Sequence, residues 1–307
     1  MAKKPIKLGC FEILPIEQKL TRKPNFFEDV KNAFSTLGNI SDRCRKLSDL
    51  TVEGEQEFVS KVSVGNKGLF CTFLHLKEGG AINIQKSLLN SESFSLEELA
   101  TITDGEIAGH LKDYTYFLLT KQFLILKLTR GINVSDISIY LNWLLKKTIS
   151  AYADKNSVLQ LRQSLRSGFD PLEVGSIVVG GDVRIEGRKS IDNIVQPIFN
   201  DWLDKLIKSK GIKGLDPDSI IRHASLILTI ERRSEKNPKD RARILQSLLD
   251  TCSSDSTEIR DKKNVKIDPT SIKEIKDVRI SFNDSDFPDV AALEEEMWRY
   301  YDEIVKP

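Results

Sequence analysis

The sequence predicts an α+β fold in which small mixed or antiparallel sheets carry packed helices. Two patterns favour this class. Apolar runs of about four to eight residues recur along the chain and end at turn residues, which is typical of strands. Between them lie longer segments whose apolar residues keep helical spacing. A length of 307 residues further suggests two domains.

The first half contains the clearest strands. An apolar run at Ile6–Leu14 predicts one strand. Two hairpins are predicted where pairs of runs flank short polar turns, at Glu57–Val64 with Leu69–Leu76 and at Tyr114–Leu119 with Phe123–Leu128. These segments place at least five strands before residue 130.

Two helices in the first half follow residues that favour helix N-termini. Asn25 precedes a predicted helix at Phe26–Leu37, and Ser135 precedes another at Asp136–Thr148. The polar stretch Ser150–Gly168 is also expected to be helical. The first domain is therefore assigned to residues 1–150 and a linker region to residues 151–172.

The second half shows a strand, a short polar loop and a helix three times. The predicted pairs are Val174–Ile185 with Asp192–Lys208, Ser219–Ile230 with Pro238–Leu249, and Asp277–Phe282 with Pro288–Ile304. Thr251–Lys266, rich in Ser, Asp and Lys, is expected to be a loop. Residues 173–307 form the predicted C-terminal α+β domain, which ends in an acidic helix.

The composition excludes several classes of protein. With 46 basic and 45 acidic residues and 40% hydrophobic residues, the chain does not resemble a disordered polypeptide. Its four cysteines form no C-x-x-C pair and it has only three histidines, so we expect no metal site and no cofactor. Its apolar stretches are shorter than a membrane-spanning helix requires, and no signal peptide is recognisable. A cytoplasmic location is predicted.

Motifs of common enzyme classes do not occur in the sequence. The glycines in Val179-Gly180-Gly181-Asp182 lack the Lys-Ser/Thr that follows in a phosphate-binding loop. Glu274-Ile275-Lys276, with Asp268 upstream, matches the short E-x-K pattern of metal-dependent nucleases, but solvated charge on a strand explains it as well. We therefore expect a protein without catalytic residues and keep a nuclease as an alternative.

Basic residues concentrate at two strand-to-helix junctions of the second half. The stretch 232–243 contains six basic residues and only two acidic ones. Because helix N-termini favour phosphate, the junctions are predicted to contact DNA. The predicted contacts are Arg184, Arg188, Lys189, Arg232, Arg233, Lys236, Lys239, Arg241 and Arg243.

A solvated edge explains the same basic residues equally well, with Glu231, Glu235 and Asp240 as ion-pair partners. The stretch contains no aromatic side chain, so it does not favour stacking on single-stranded bases. If it binds nucleic acid, we expect contact with the backbone of double-stranded DNA, largely without sequence specificity.

The C-terminal segment has the opposite charge. From Asp284 onward it contains eight acidic residues against Arg299 and Lys306, which explains how a net charge of +1 hides a basic region. Its predicted helix carries an apolar stripe that packs either on its own domain or on a second copy of the chain. The side chains predicted to form a homodimer are Leu293, Met297, Tyr300, Tyr301 and Ile304.

Three segments resemble a known family in their order and spacing: FLLTKQFLILKLTRGINVSDISIYLNWLL, LILTIERRSEKNPKDRARILQSLL and DVRISFNDSDFPDVAALEEEMWRYYDEI. They are similar to RexA-like sensors of phage exclusion, a form of abortive infection encoded by prophages. The resemblance implies a non-enzymatic, homodimeric, cytoplasmic DNA-binding protein in antiviral defence, with a membrane-channel protein as partner. It supplies no catalytic residues. The alternative is a protein-interaction module of a defence system.

Overall fold

The computed structural model describes most of the first half of the chain and the C-terminal segment. The described residues are 3–15, 25–47, 55–77, 82–99, 105–155, 157–164, 166, 174–182, 223–229, 257–261, 263, 266–267 and 273–306. In the strands at 174–182 and 223–229, and at Pro15, 257–259 and Asp261, the description covers the backbone alone.

The described residues form strands, helices and two short 3-10 turns. The strands are β1 Lys3–Pro15, β2 Arg45–Lys46, β3 Gln56–Val64, β4 Gly68–Lys77, β5 Ile82–Gln85, β6 Ile107–Thr120, β7 Phe123–Lys127, β8 Leu159–Gln163, β9 Val174–Asp182, β10 His223–Thr229, β11 Thr257–Asp261, β12 Lys266–Ile267 and β13 Ile275–Ser281. The helices are α1 Phe26–Thr36, α2 Lys86–Leu89, α3 Leu96–Leu99, α4 Val134–Thr148 and α5 Val290–Val305. The 3-10 turns are Ile40–Arg43 and Ser150–Tyr152. None of the helices in this part of the chain is long and apolar enough to cross a membrane.

These elements confirm a mixed α+β class with antiparallel pairing, but the main sheet is not small. It has nine strands in the order β13-β1-β7-β6-β4-β3-β2, with β5 added on β6 and β8 on β1. A second sheet has four strands in the order β10-β9-β11-β12. The predicted hairpins supply the centre of the large sheet, and pairing between distant segments extends it.

The chain divides into two compact units that differ from the predicted boundaries. One unit combines Met1–Arg162 with Ile275–Pro307, and the other contains Gln163–Glu274. The C-terminal segment joins the first unit because β13 pairs antiparallel with β1, from Lys3 opposite Ser281 to Gly9 opposite Ile275. A boundary drawn from local patterns at residues 151–172 misses this pairing.

The nine-stranded sheet is covered by helices on both faces. Alternate residues of its central strands enter a core with α1 and α4 on one face and a core with α2, α3 and α5 on the other. In β4 this gives an almost continuous buried run from Gly68 to Leu76. The run lacks simple apolar–polar alternation because both of its faces are buried.

Two predicted irregular or helical segments form strands instead. Part of the predicted helix Ser150–Gly168 is strand β8, which pairs with β1. Part of the predicted loop Thr251–Lys266 is strand β11, which pairs with β9. Both are short and polar, so their sequences carry little sign of the pairing that makes them strands. The predicted helices at 192–208 and 238–249 lie outside the described residues.

The N-terminus of α4 is capped by Asn133, two residues earlier than the predicted cap Ser135. The Asn133 side chain accepts hydrogen bonds from the N–H groups of Ser135 (2.8 Å) and Asp136 (3.2 Å). Asp136 in return accepts from the backbone N–H of Asn133 at 2.8 Å. This reciprocal capping box replaces Ser135 as the cap. Asn25 does occupy the cap position of α1, but its side chain makes no capping hydrogen bond.

A β-bulge at Ser60 is held by side chains from outside the strand. The register of β3 against β4 shifts between Val59 and Lys61, which leaves Ser60 without a place in the ladder. The buried guanidinium of Arg43 donates to the carbonyls of Val59 (2.8 Å) and Ser60 (3.3 Å). Tyr140 of α4 accepts from the Val59 N–H at 3.3 Å and donates to the Arg43 carbonyl at 2.9 Å. The bulge thereby ties α4 to β3.

Substitution of Gly68 tests how α5 packs on the β3–β4 turn. A Cβ at Gly68 would lie 2.6 Å from the Leu119 carbonyl oxygen and 2.9 Å from Cη2 of Trp298. We expect Gly68→Ala to lower the free energy of unfolding by about 1–3 kcal/mol, as overpacking does. Gly38→Ala is the control, because no heavy atom lies within 4 Å of a Cβ there. Equal urea midpoints for the two variants would contradict this packing.

Candidate functional site

The nine predicted DNA contacts between residues 184 and 243 all lie outside the described residues. What the structure does describe is the pair of strands that leads into the two basic junctions. β9 ends at Asp182, two residues before Arg184, and β10 ends at Thr229, three residues before Arg232. The orientation of these strands therefore fixes where the chain enters each junction.

The chain enters the two basic junctions at opposite ends of one strand pair. β9 and β10 are antiparallel, with His223 opposite Asp182 and Thr229 opposite Ser176. The ends Asp182 and Thr229 are separated by six residue steps along the pair, or about 20 Å. Asp182 and Thr229, from which the chain continues towards the two junctions, therefore lie at opposite ends of the strand pair.

The predicted dimer residues of α5 are used within the chain. Leu293, Met297 and Tyr300 are at most 2% exposed and belong to the core on one face of the nine-stranded sheet. Tyr301 and Ile304 are partly buried against the same core. Packing of the helix on its own unit, one of the two alternatives from the sequence, is what the structure shows. A dimer contact through this helix remains a prediction and would rest on Tyr301 and Ile304.

The acidic C-terminal segment is partly neutralised by basic residues of the same unit. Glu303 accepts from Lys276 Nζ at 2.6 and 2.7 Å, and Asp286 pairs with Lys4. Within α5, Arg299 lies 3.1 Å from Glu295 and also contacts Glu296. The segment is thus less anionic at its surface than its sequence suggests.

The ion pair of Lys276 also affects the nuclease-like E-x-K pattern, Glu274-Ile275-Lys276. Lys276 of β13 is bound to Glu303 and lies 5.7 Å from the ring centroid of Tyr300, so its ammonium is already engaged. Asp268, the upstream acidic residue of the pattern, lies outside the described residues. In the part of the chain that the structure describes, no group of three His, Cys, Asp or Glu side chains is arranged to hold a metal ion.

A cluster of ionisable side chains, which we call the ionisable row, lies across three neighbouring strands. Glu57 of β3 is opposite His75 of β4, and His75 is opposite Asp113 of β6. A second bulge, between His75 and Leu76, inserts Lys112 into β6 beside Asp113. Bulges re-aim neighbouring side chains and are frequent next to functional sites.

The N-terminal turn of α4 lies close enough to the row to interact with it electrostatically. Asp136, in the first turn of α4, influences the charge states of Glu57 and His75. Arg45 of β2 donates a hydrogen bond to the Glu57 carboxylate, which is almost completely buried. The carboxylate of Asp113 lies against Gly131, where a Cβ would meet it at 2.1–2.3 Å. Five secondary-structure elements, β2, β3, β4, β6 and α4, thus supply ionisable groups to one region.

Burial shifts the pKa values of Glu57, Asp136 and His75. It raises the pKa of Glu57 to about 7, although the charge and hydrogen bond of Arg45 oppose the shift. Burial also raises the pKa of Asp136, against the hydrogen bond from the Asn133 backbone and the positive charges nearby. It lowers the pKa of His75, and Lys112 lowers it further. Each shift favours the neutral form.

Within the row, Glu57 is the group suited to bind a proton near neutral pH. A carboxyl with a pKa of about 7 exchanges its proton in the range where most proteins work. The Nε2 atom of His75 is buried and has no hydrogen-bond partner in the described part of the chain. Sequence patterns did not reveal the row, because its members are far apart in the chain. The only local sign was a charged residue within an apolar strand, such as Glu57.

A second perturbed group is Lys127, which is 8% exposed at the end of β7. Its ammonium lies 4.5 Å from the ring centroid of Tyr114 and 5.6 Å from that of Tyr116. Within the described residues it makes no salt bridge, and burial lowers its pKa to about 8. The hydroxyl of Tyr116 beside it is also buried without a described hydrogen-bond partner. Two tyrosine rings therefore contact the ammonium, while the negative charge of Asp286 opposes the lowering of its pKa.

The first prediction for this region concerns Glu57. Because its folded-state pKa lies above the unfolded value, the native state binds more protons, and stability falls as pH rises from about 4.5 to 7. In the wild type, this effect lowers the free energy of unfolding by about 1–3 kcal/mol across the interval, and the Glu57→Gln variant should lack it. Urea denaturation at several pH values measures it. Glu106→Gln, which removes an exposed carboxyl, is the control, and equal slopes in both variants would refute the assignment.

The second prediction concerns Lys127. Its lowered pKa means that the charged form is penalised in the folded state below pH 8, and the penalty disappears as pH rises towards the unfolded value of 10.5. We expect Lys127→Met to be about 1–3 kcal/mol more stable than the wild type at pH 7, and the gain to shrink by pH 10. A variant that is less stable at pH 7 would show that the contacts of the ammonium with the tyrosine rings outweigh its desolvation.

Comparison with known proteins adds no relative to these observations. No family model matches the sequence, and no curated protein is significantly similar to it. The resemblance to RexA-like sensors therefore rests on the order and spacing of the three quoted segments alone.

Proposed function

We propose that this chain is a non-enzymatic, cytoplasmic protein that binds double-stranded DNA largely without sequence specificity. In this proposal it acts as a sensor in a RexA-like phage-exclusion system. Gln163–Glu274 forms its DNA-binding domain, separate from the unit that holds the nine-stranded sheet. The chain works as a homodimer and, as the resemblance implies, acts on a membrane-channel protein.

One observation carries the proposal. Residues 184–243 contain 14 Lys and Arg against 9 Asp and Glu, whereas the remaining chain has a slight acidic excess. Lysine and arginine that neutralise phosphates supply most of the affinity in non-specific DNA binding. The basic stretch 232–243 contains no aromatic residue, which favours contact with the backbone of a duplex over stacking on unpaired bases.

The separation of the strand ends favours a distributed contact with DNA. Asp182 and Thr229 are about 20 Å apart along the β9–β10 pair, a distance comparable to the width of a DNA duplex. Basic segments that follow these ends are better suited to phosphates on two stretches of backbone than to one compact phosphate pocket. Such a contact orients the duplex without reading its bases.

The test is a gel shift with two unrelated duplexes between 50 and 200 mM salt. If about four phosphates are neutralised, affinity should fall roughly a hundredfold over this range for both duplexes. The triple variant Arg232→Glu, Arg233→Glu, Arg243→Glu should lose the shift at low salt. The control is Lys61→Glu, Lys77→Glu, Lys121→Glu, which makes the same change of charge at exposed positions of the other unit.

Three results would contradict the proposal: no shift at low salt, a shift that salt does not weaken, or equal effects of the two triple variants. A protein partner recovered from nuclease-treated lysate, without any DNA shift, would favour the protein-interaction alternative. Magnesium- or manganese-dependent cleavage of a plasmid that Glu274→Ala abolishes would favour the nuclease.

A further inference from the structure

We propose that β13 of one chain pairs antiparallel with β13 of a second copy, around a two-fold axis at Val278. The two nine-stranded sheets then continue into each other. This inference assigns the proposed homodimer a surface other than α5, and it does not depend on DNA binding.

β13 is an edge strand of the large sheet. It is the first strand in the sheet order, and among the described strands it pairs with β1 alone. At its C-terminal end the Ser281 carbonyl accepts from the Asp289 N–H at 2.8 Å and Phe282 forms a bridge with Pro288, so the open edge ends before Ser281. Alternate backbone N–H and C=O groups from Lys276 to Ile280 therefore point away from β1 and have no strand partner in the described part of the chain. Such an edge is a template for another strand of the same kind.

Charge complementarity identifies the occupant as a second copy. In antiparallel pairing centred on Val278, Asp277 lies opposite Arg279 of the other copy, and Arg279 lies opposite its Asp277. Two opposite-charge pairs thus form by symmetry, as an interface between identical surfaces requires. Both side chains are exposed within a single chain, so the pairing leaves the core intact.

The charges also select the register. Centring the pair on Asp277 would place the two Asp277 carboxylates opposite each other, and centring it on Arg279 would do the same with two guanidinium groups. Parallel pairing in register would bring together like charges at both positions. Charges on an edge strand often prevent pairing, but here their alternation disfavours these three arrangements and favours the antiparallel register centred on Val278.

One face of β13 already packs against helix α5 of the same chain. Val278 and Ile280 are buried in the core with α5, and Lys276 is bound to Glu303 of that helix. The strand is thereby held in an extended conformation before a partner arrives. Little conformational entropy is lost when a preformed edge pairs, and this favours association through a short strand.

A charge-swap experiment on the full-length chain tests the interface. Asp277→Arg and Arg279→Asp each turn both opposite-charge pairs into like-charge pairs, so each variant alone should dimerise about tenfold or more weakly than the wild type. Mixing the two variants restores opposite charges at both positions, and the mixture should form a heterodimer with nearly wild-type affinity. Sedimentation velocity at 50 mM salt, with one variant fluorescently labelled, measures this. Lys121→Glu, a charge reversal on the exposed β6–β7 turn, is the control.

Recovery of dimerisation in the mixture distinguishes a defect in the interface from a defect in folding. A folding defect in either variant would not be repaired by the other. The proposal is overturned if the wild type stays monomeric at 50 mM salt in about 100 μM protein, a concentration at which weak dimers form. It is also overturned if the single variants dimerise as well as the wild type, which would point to α5, or if mixing restores nothing.

Discussion

Pairing between β1 and β13 is the interaction on which the described fold depends. It joins the N-terminal strand to a segment more than 260 residues later, from Lys3 opposite Ser281 to Gly9 opposite Ile275. It also delivers α5 to the face of the sheet, where Leu293, Met297 and Tyr300 are buried. Each buried side chain of this size stabilises by about 1.5–3 kcal/mol. Without the pairing, one face of the central strands would lack its largest helix.

The local elements were predictable because they depend on neighbouring residues. Both hairpins, α1, α4 and α5 follow from apolar periodicity and turn residues, with ends that differ by a few residues. The bulges at Ser60 and Lys112 were not predictable, since each depends on a partner strand and, for Ser60, on Arg43 and Tyr140. β8 was predicted as helix because its short polar sequence has no periodicity that reveals its place beside β1.

The candidate sites also differ in whether the sequence alone reveals them. The basic junctions are visible in the sequence because their residues are consecutive, although the sequence did not reveal that β9 and β10 enter them from opposite ends. The ionisable row needed the sheet register, since Glu57, His75 and Asp113 come from three strands. Lys127 looked like the polar end of an apolar strand. Its position between Leu8 and Tyr116 in adjacent strands explains its burial.

Hydrogen exchange of the intact protein, followed by mass spectrometry at increasing urea concentration, tests the central role of the β1–β13 pairing most directly. If β13 and α5 belong to the same cooperative core as the centre of the sheet, peptides from residues 3–9, 68–77, 107–120 and 275–304 should open together, with one free energy and one dependence on urea. If the 275–304 peptides exchange fully while those of 68–77 and 107–120 remain protected, the C-terminal segment is an appendage and the account is wrong.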